Sequence, residues 1–416
     1  MIELTEVIQQ IPAMLSGETL TEALRILPEY DDEIRAADTA IRLMALNDLY
    51  KIYVPNQMST EIYSKLYLAL LRSLQKKGTK LAVQQQNQNF KAIMRQEYSG
   101  IIGGSDSFTI IGPSGLGKSS AISRAITLIS DSRLIEVDKP FTKIIPCLCV
   151  QCPYDSSVKG LLLEILRKVD EALESKYYYH AVRSRATIDM LIGSVSQVAL
   201  NHVGLLVVDE IQCVVNSKNG KGLVGTLTQL INNSGISICM VGTPESAVFF
   251  EQAQQLARRS LGLRYDVMEY GEVFQSFCEA LYSYQYTQQR TETTEGVTRW
   301  LYEHSSGNIS IVVSLIHDAQ EMAILNGREV LDMESLNEAY QQRLSLLHSY
   351  ITPSVPKIKQ TSKPVREITV SAMDLPVNDT KDVKFKISDL VAQAKGKDID
   401  VVELLRAYVS VTEVAL

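Results

Sequence analysis

Between an apolar run ending at Ile111 and a helical pattern that begins near Ser119, the chain reads Gly112-Pro113-Ser114-Gly115-Leu116-Gly117-Lys118-Ser119-Ser120. Glycines at this spacing let successive backbone N–H groups converge on phosphate oxygens. The positive end of the helix that follows strengthens the grip. In such a loop Lys118 reaches the β and γ phosphates and Ser119 holds Mg²⁺ through its hydroxyl. The pattern needs a buried strand before it and a helix after it, which limits the chain to an α/β nucleotide-binding fold.

The surrounding sequence agrees. "SFTII", "FTKIIPCLCV", "VGLLVVDE" and "ISICMVGT" are short apolar runs rich in β-branched residues, and helical stretches separate them. Alternation of this kind predicts a parallel sheet flanked by helices. Upstream, "MSTEIYSKLYLALLRSLQKKG" places Ile62, Tyr63, Leu66, Tyr67, Leu70, Leu71 and Leu74 on one helical stripe. Ser59 or Thr60 is the expected cap and Gly78 the expected stop. From about residue 271 the pattern is helical only, and after Tyr350 a proline-containing basic stretch reads as a linker. The expected organisation is a helical extension over 1–58, an α/β domain over 59–270, a helical lid over 271–350, and a basic linker with a docking segment over 351–416.

Three further segments carry chemistry. "LLVVDE" sets Asp209 and Glu210 at the C-terminal edge of a buried strand, where open α/β sheets bind ligands. Asp209 is expected to take Mg²⁺, mostly through water, and Glu210 to polarise the water that attacks the γ-phosphate. In "ISICMVGTPE", Thr243 is the first polar side chain after another buried strand and is suited to sensing that phosphate. Arg258 and Arg259, in "QQLARRSLGLRY", read by themselves as a solvated basic pair, although arginine suits a bidentate clamp on a neighbouring subunit's γ-phosphate.

Composition narrows the function classes. A net charge of −7 over 416 residues argues against a chain that coats nucleic acid with its whole surface, and leaves room for a local basic groove. No apolar run approaches the ~20 residues needed to span a bilayer, so no membrane partner is expected. The start, "MIELTEVIQQ", lacks the basic region of a signal peptide. The six cysteines then read as reduced thiols in a cytoplasm. Cys147, Cys149 and Cys152 lack a fourth ligand for zinc and read as buried small hydrophobes on a strand.

The order GPSGLGKS, "VQCPYDSSVKGLLLEIL", "LLVVDEIQ", "MVGTPE" and "LARRS" resembles the AAA+ ATPases that regulate transposition, of the TnsC and TniB type, with MuB a more distant relation. The resemblance covers about residues 60–345. It implies an AAA+ P-loop α/β domain followed by a small helical lid. It also implies ATP and Mg²⁺ bound between subunits, a ring or helical filament on double-stranded DNA, and a link from a target-selection factor to a transposase. By position, Lys118, Ser119, Asp209 and Glu210 inherit the nucleotide roles, Thr243 the sensor role, and Arg258 or Arg259 the arginine finger. Many AAA+ lids carry an arginine where this chain has Ser310, a departure that implies slow, switch-like turnover. A bacterial cytoplasm is the implied location.

Contacts to duplex DNA are expected from Lys159, Arg183 and Arg185, since the segment after "VQCPYD" resembles the region of the family that meets the DNA backbone. Phosphate contacts repeated by each subunit make binding salt-dependent and tolerant of sequence. "KYYYHAV" is expected to pack a helix at a subunit interface. Two other classes fit the nucleotide motifs: a signalling or scaffold ATPase that never touches DNA, and a helicase-loader or initiator protein, which usually adds a winged-helix domain after the lid.

Overall fold

The computed structural model describes residues 4–77, 79–94, 96, 99–100, 102, 107–131, 133–138, 141–214, 220–247 and 262–345. Three short helices come first: α1 (Leu4–Gln9), α2 (Gly17–Leu24) and α3 (Thr39–Ala45). Two longer ones follow, α4 (Gln57–Lys77) and α5 (Lys80–Ile93). The α/β region then runs β1 (Phe108–Ile111), α6 (Lys118–Ser130), β2 (Ile135–Asp138), β3 (Phe141–Gln151), α7 (Val158–Leu173), α8 (Tyr177–Arg183), α9 (Ile188–His202), β4 (Val203–Asp209), α10 (Gly220–Ser234), β5 (Ser237–Gly242) and β6 (Leu263–Arg264). Four helices complete the described residues: α11 (Glu272–Tyr282), α12 (Glu295–Ser305), α13 (Ile309–Leu325) and α14 (Met333–Arg343).

The six strands form one sheet in the order β2-β3-β4-β5-β1-β6. All neighbours run parallel except β2, which pairs antiparallel with β3 at the edge. Strands β4 and β5 are buried along almost their whole length, as a sheet covered on both faces requires. The chain leaves β1, builds β2 to β5 on one side, and returns to pair β5 with β1. That reversal opens a crevice at the carboxyl ends of β1, β4 and β5, the position at which ligands enter sheets of this kind.

Two cores sandwich the sheet. On one face α7, α9 and α10 bury Leu161, Leu162, Leu191, Val195, Leu227 and Leu230 against Leu206, Val208 and Ile238. On the other, α4 and α6 bury Ile62, Leu66, Leu70, Ala121 and Ala125 against Phe108, Ile110, Leu205 and Val241. The helical stripe of α4 is therefore core, but its start differs from expectation. The helix begins at Gln57, and the cap is Asn56, whose Oδ1 accepts from the Ser59 backbone N–H at 3.1 Å. Ser59 Oγ in turn accepts from the Asn56 N–H at 3.2 Å, a reciprocal box that puts Ser59 inside the first turn. At its other end, buried Lys77 donates to the carbonyls of Ala199 and Leu200, both at 2.7 Å, and so satisfies the C-terminus of α9.

Cys149 also departs from expectation: it is exposed, and Cys147 is only half-buried. Cys149 lies two positions before the end of β3, on the stretch that pairs with β4 alone.

The N-terminal segment has no core of its own. Val7, Leu20 and Leu24 pack on the α/β region. Leu46, Leu49 and Ile52 join Phe274, Leu301, Leu315 and Leu336 in the core of the last four helices. A buried ion pair fixes the second attachment. Arg42, 1% exposed, grips Glu329 bidentately at 2.6 and 2.7 Å and donates to the Tyr286 carbonyl at 2.9 Å.

Candidate nucleotide site

The phosphate loop leaves β1 at Gly112, whose N–H donates to the Gly242 carbonyl at the end of β5, 3.2 Å away. Gly115 and Gly117 have φ of +79° and +87°, left-handed values that a side chain would strain. Helix α6 starts at once at Lys118, with Gly117 as its cap. Lys118 is buried and its Nζ donates to the carbonyls of Gly112 (2.8 Å) and Pro113 (2.7 Å), which holds the ammonium inside the loop. Burial draws the Lys118 pKa below its ordinary value, and the carboxylates of Asp209 and Glu210 oppose that pull.

Asp209 ends β4 and lies across from the start of α6. Its Oδ2 accepts from Ser119 Oγ at 2.9 Å, and its Oδ1 accepts from the Glu210 backbone N–H at 2.8 Å. A hydroxyl and a carboxylate oxygen, both hard donors, meet at the phosphate loop, and that pair fits Mg²⁺. Glu210 is exposed and sits at φ +58°. Thr243 follows β5, half-buried, and its hydroxyl holds the Glu245 carboxyl below the usual carboxylate range. The structure therefore brings Lys118, Ser119, Asp209, Glu210 and Thr243 to one cavity of about 330 Å³, together with Ser114 to Ser120 of the loop.

Other walls of that cavity were not read from the sequence. Leu49, Tyr50, Ile52, Tyr53 and Val54 come from the segment between α3 and α4, Met58 from the first turn of α4, and Phe277, Ile309 and Val313 from α11 and α13. Together they make an apolar end beside a polar, phosphate-gripping end, the division a nucleotide needs. Tyr50 also leans on His317 of α13, with ring centroids 4.9 Å apart.

The turn before α13 docks on the phosphate loop. Asn308 Nδ2 donates to the Ser114 carbonyl at 2.9 Å, while the Ser310 N–H donates to the Gly115 carbonyl at 3.0 Å. The approach is so close that a Cβ on Gly115 would lie 2.5 Å from Asn308 Oδ1. Asn308 also caps α13, accepting from the N–H groups of Ser310 and Ile311. Asn308→Ala is expected to cost about 1 kcal/mol of stability through the lost cap. Because it also cuts a tie between the start of α13 and the loop, it should raise the KM for ATP more than it lowers kcat. Thermal denaturation and steady-state kinetics check both, and an unchanged KM would show that this tie does not shape the site.

Arg258 and Arg259 lie outside the described residues. Lys159 is exposed in the first turn of α7, and Arg183 and Arg185 are exposed at and just after the end of α8. None of the three lines the cavity. Arg183 Nη1 donates to the Tyr179 hydroxyl at 3.4 Å. The tyrosines of α8 are not packed away: Tyr179 is 54% exposed, and none of the residues of α8 is buried.

Residues 82–265, from α5 to β6, match the model of a family described as bacterial TniB protein. No curated protein matches the chain. Among solved structures, the chain is similar to the Aeropyrum pernix ORC1 protein in complex with DNA, at 14% identity and a TM-score of 0.42. That similarity covers 62% of this chain and 63% of that one, so the chain spans under two thirds of that relative. It is also similar to the ADP form of the Aeropyrum pernix ORC2 protein (16% identity, TM-score 0.41, 63% of this chain and 67% of that). A third similarity is to domain III of the Thermotoga maritima replication initiation protein DnaA (15%, 0.36, 66% and 94%).

Proposed function

We propose that this chain, whose residues 82–265 match the bacterial TniB family, is an AAA+ ATPase that regulates DNA transposition: it binds Mg-ATP between subunits, assembles on duplex DNA, and links a target-selection factor to a transposase. The observation that supports this most is the run Ser119–Asp209–Glu210, joined by hydrogen bonds at the ends of β1 and β4 within the family-matched region. On this reading Lys118 and the loop N–H groups bind the β and γ phosphates. Ser119 and Asp209 hold Mg²⁺, which supplies charge neutralisation on the phosphate oxygens when bound. Glu210, exposed to the cavity, orients the attacking water and takes its proton. Thr243, at the end of the neighbouring strand, marks the γ-phosphate, and Arg258 or Arg259 of an adjacent copy completes the charge around it. With Ser310 where a lid arginine would stand, turnover is slow and ATP acts as a switch: bound, it holds the assembly, and its hydrolysis loosens it.

Lys159, Arg183 and Arg185 are the DNA-facing cations on this reading. All three are exposed, as phosphate contacts require. The test is ATP turnover with and without duplex DNA over a salt series. Duplex should stimulate wild-type turnover, stimulation should fade as salt rises, and Arg183→Ala with Arg185→Ala should lower the salt slope. Turnover indifferent to DNA at every salt concentration favours instead a signalling or scaffold ATPase, to which the acidic net charge is suited.

A further inference from the structure

Gln212 stands two residues beyond the proposed water-activating carboxylate, in the single turn Ile211–Val214 that follows β4. Its Nε2 donates to Glu210 Oε2. A carboxylate only accepts, so the amide nitrogen must face it and the amide oxygen must turn away. That oxygen, Oε1, is buried with no hydrogen-bond partner among the described residues, and lies beside the end of β5. There Gly242 makes the room: a Cβ on it would lie 3.2 Å from Gln212 Oε1 and 2.7 Å from Ile211 Cγ2. Packing against the end of β5, the strand that Thr243 follows, thus holds the Gln212 side chain, and its hydrogen bond among the described residues goes to Glu210.

Glu210 needs such support. Its backbone is left-handed at φ +58°, a conformation that costs a side chain about 1–2 kcal/mol. Three contacts hold it there: its N–H donates to Asp209 Oδ1, its carbonyl accepts from the Cys213 N–H at 3.1 Å, and its carboxylate accepts from Gln212. We infer that Gln212 is a positioning residue that sets the direction of the Glu210 carboxylate, engaging one oxygen and leaving the other for water. The inference rests on the reading of Glu210 as the group that activates water.

The test uses the full chain and three variants, Gln212→Ala, Gln212→Glu and Glu210→Gln, with ATP affinity measured beside turnover. Gln212→Ala should lower kcat by about 10- to 100-fold through a loosened carboxylate, with KM changed by less than about twofold. Gln212→Glu keeps the shape but puts a second acceptor where the donor stood, so kcat should fall at least as far, again with little change in KM. Wild-type kcat in either Gln212 variant, or a loss carried by KM alone, would overturn the inference. The Glu210→Gln variant separates the two levels. If it abolishes turnover while the Gln212 variants do not, only the positioning role fails; if it turns over normally, the reading of Glu210 fails.

Discussion

Replacing Lys118 by alanine is expected to abolish ATP binding and ATP-dependent assembly together. The ammonium lies within the loop on two carbonyls, 2.8 and 2.7 Å away, and at the first residue of α6. It is the single cation among the residues of the loop, Gly112 to Ser120. Truncating one partner of a buried charge pair costs about 2–5 kcal/mol, which corresponds to about 30-fold or more in affinity. The fold should survive, because the cavity edge is open and the neighbours that pack α6, Ala121, Ile122 and Ala125, are untouched. Calorimetric titration with ATP and sedimentation velocity check the two losses. A variant that still assembles with wild-type dependence on ATP would mean that the loop does not carry the switch.

Glu210→Gln is expected to do the opposite to assembly. The substitution keeps the size and the backbone N–H that donates to Asp209, so ATP and Mg²⁺ should bind as before. What goes is the proton acceptor, and general-base removal lowers turnover by about 10²–10⁴-fold. With hydrolysis blocked, ATP-held complexes should persist on duplex DNA long after free nucleotide is removed. Dissociation followed by fluorescence anisotropy, with single-turnover hydrolysis in parallel, reads both effects. Equal loss of assembly in Lys118→Ala and Glu210→Gln would contradict a switch, because only the first removes the grip. A site of this kind also predicts that the two variants differ in phase: one fails to load and the other fails to leave.

The polar half of the cavity was legible in the sequence because each piece is local. The loop Gly112–Ser119 needs a strand before it and a helix after it, and both are there as β1 and α6. Asp209 and Thr243 were placed by the same logic, an apolar run that stops at its first polar residue. The apolar half was not legible. Leu49, Ile52 and Val54 reach the cavity only because Arg42 and Leu46 anchor their segment to the last four helices. Asn308 meets Ser114 across 194 positions of chain, a distance that no local pattern records. The signal for Asn308 was a helix cap, and a cap alone does not say what else its side chain touches. Gln212 was visible as the last letter of "DEIQ", yet its hydrogen bond to Glu210 depends on a left-handed residue that composition does not announce. Cys149 went astray for the converse reason. A strand residue within an apolar run reads as core, but beyond Ile144 β3 pairs with β4 alone, and Cys149 is exposed there.

The central claim is that ATP bound at this cavity joins copies of the chain around duplex DNA. Electron microscopy of the purified protein tests it most directly, in four samples: protein alone, with duplex, with a non-hydrolysable ATP analogue and Mg²⁺, and with both. The account predicts regular rings or helical filaments enclosing the duplex when analogue and DNA are both present, and none with Lys118→Ala. Protein that remains as single particles beside bare DNA, with the analogue bound at saturation, would contradict it.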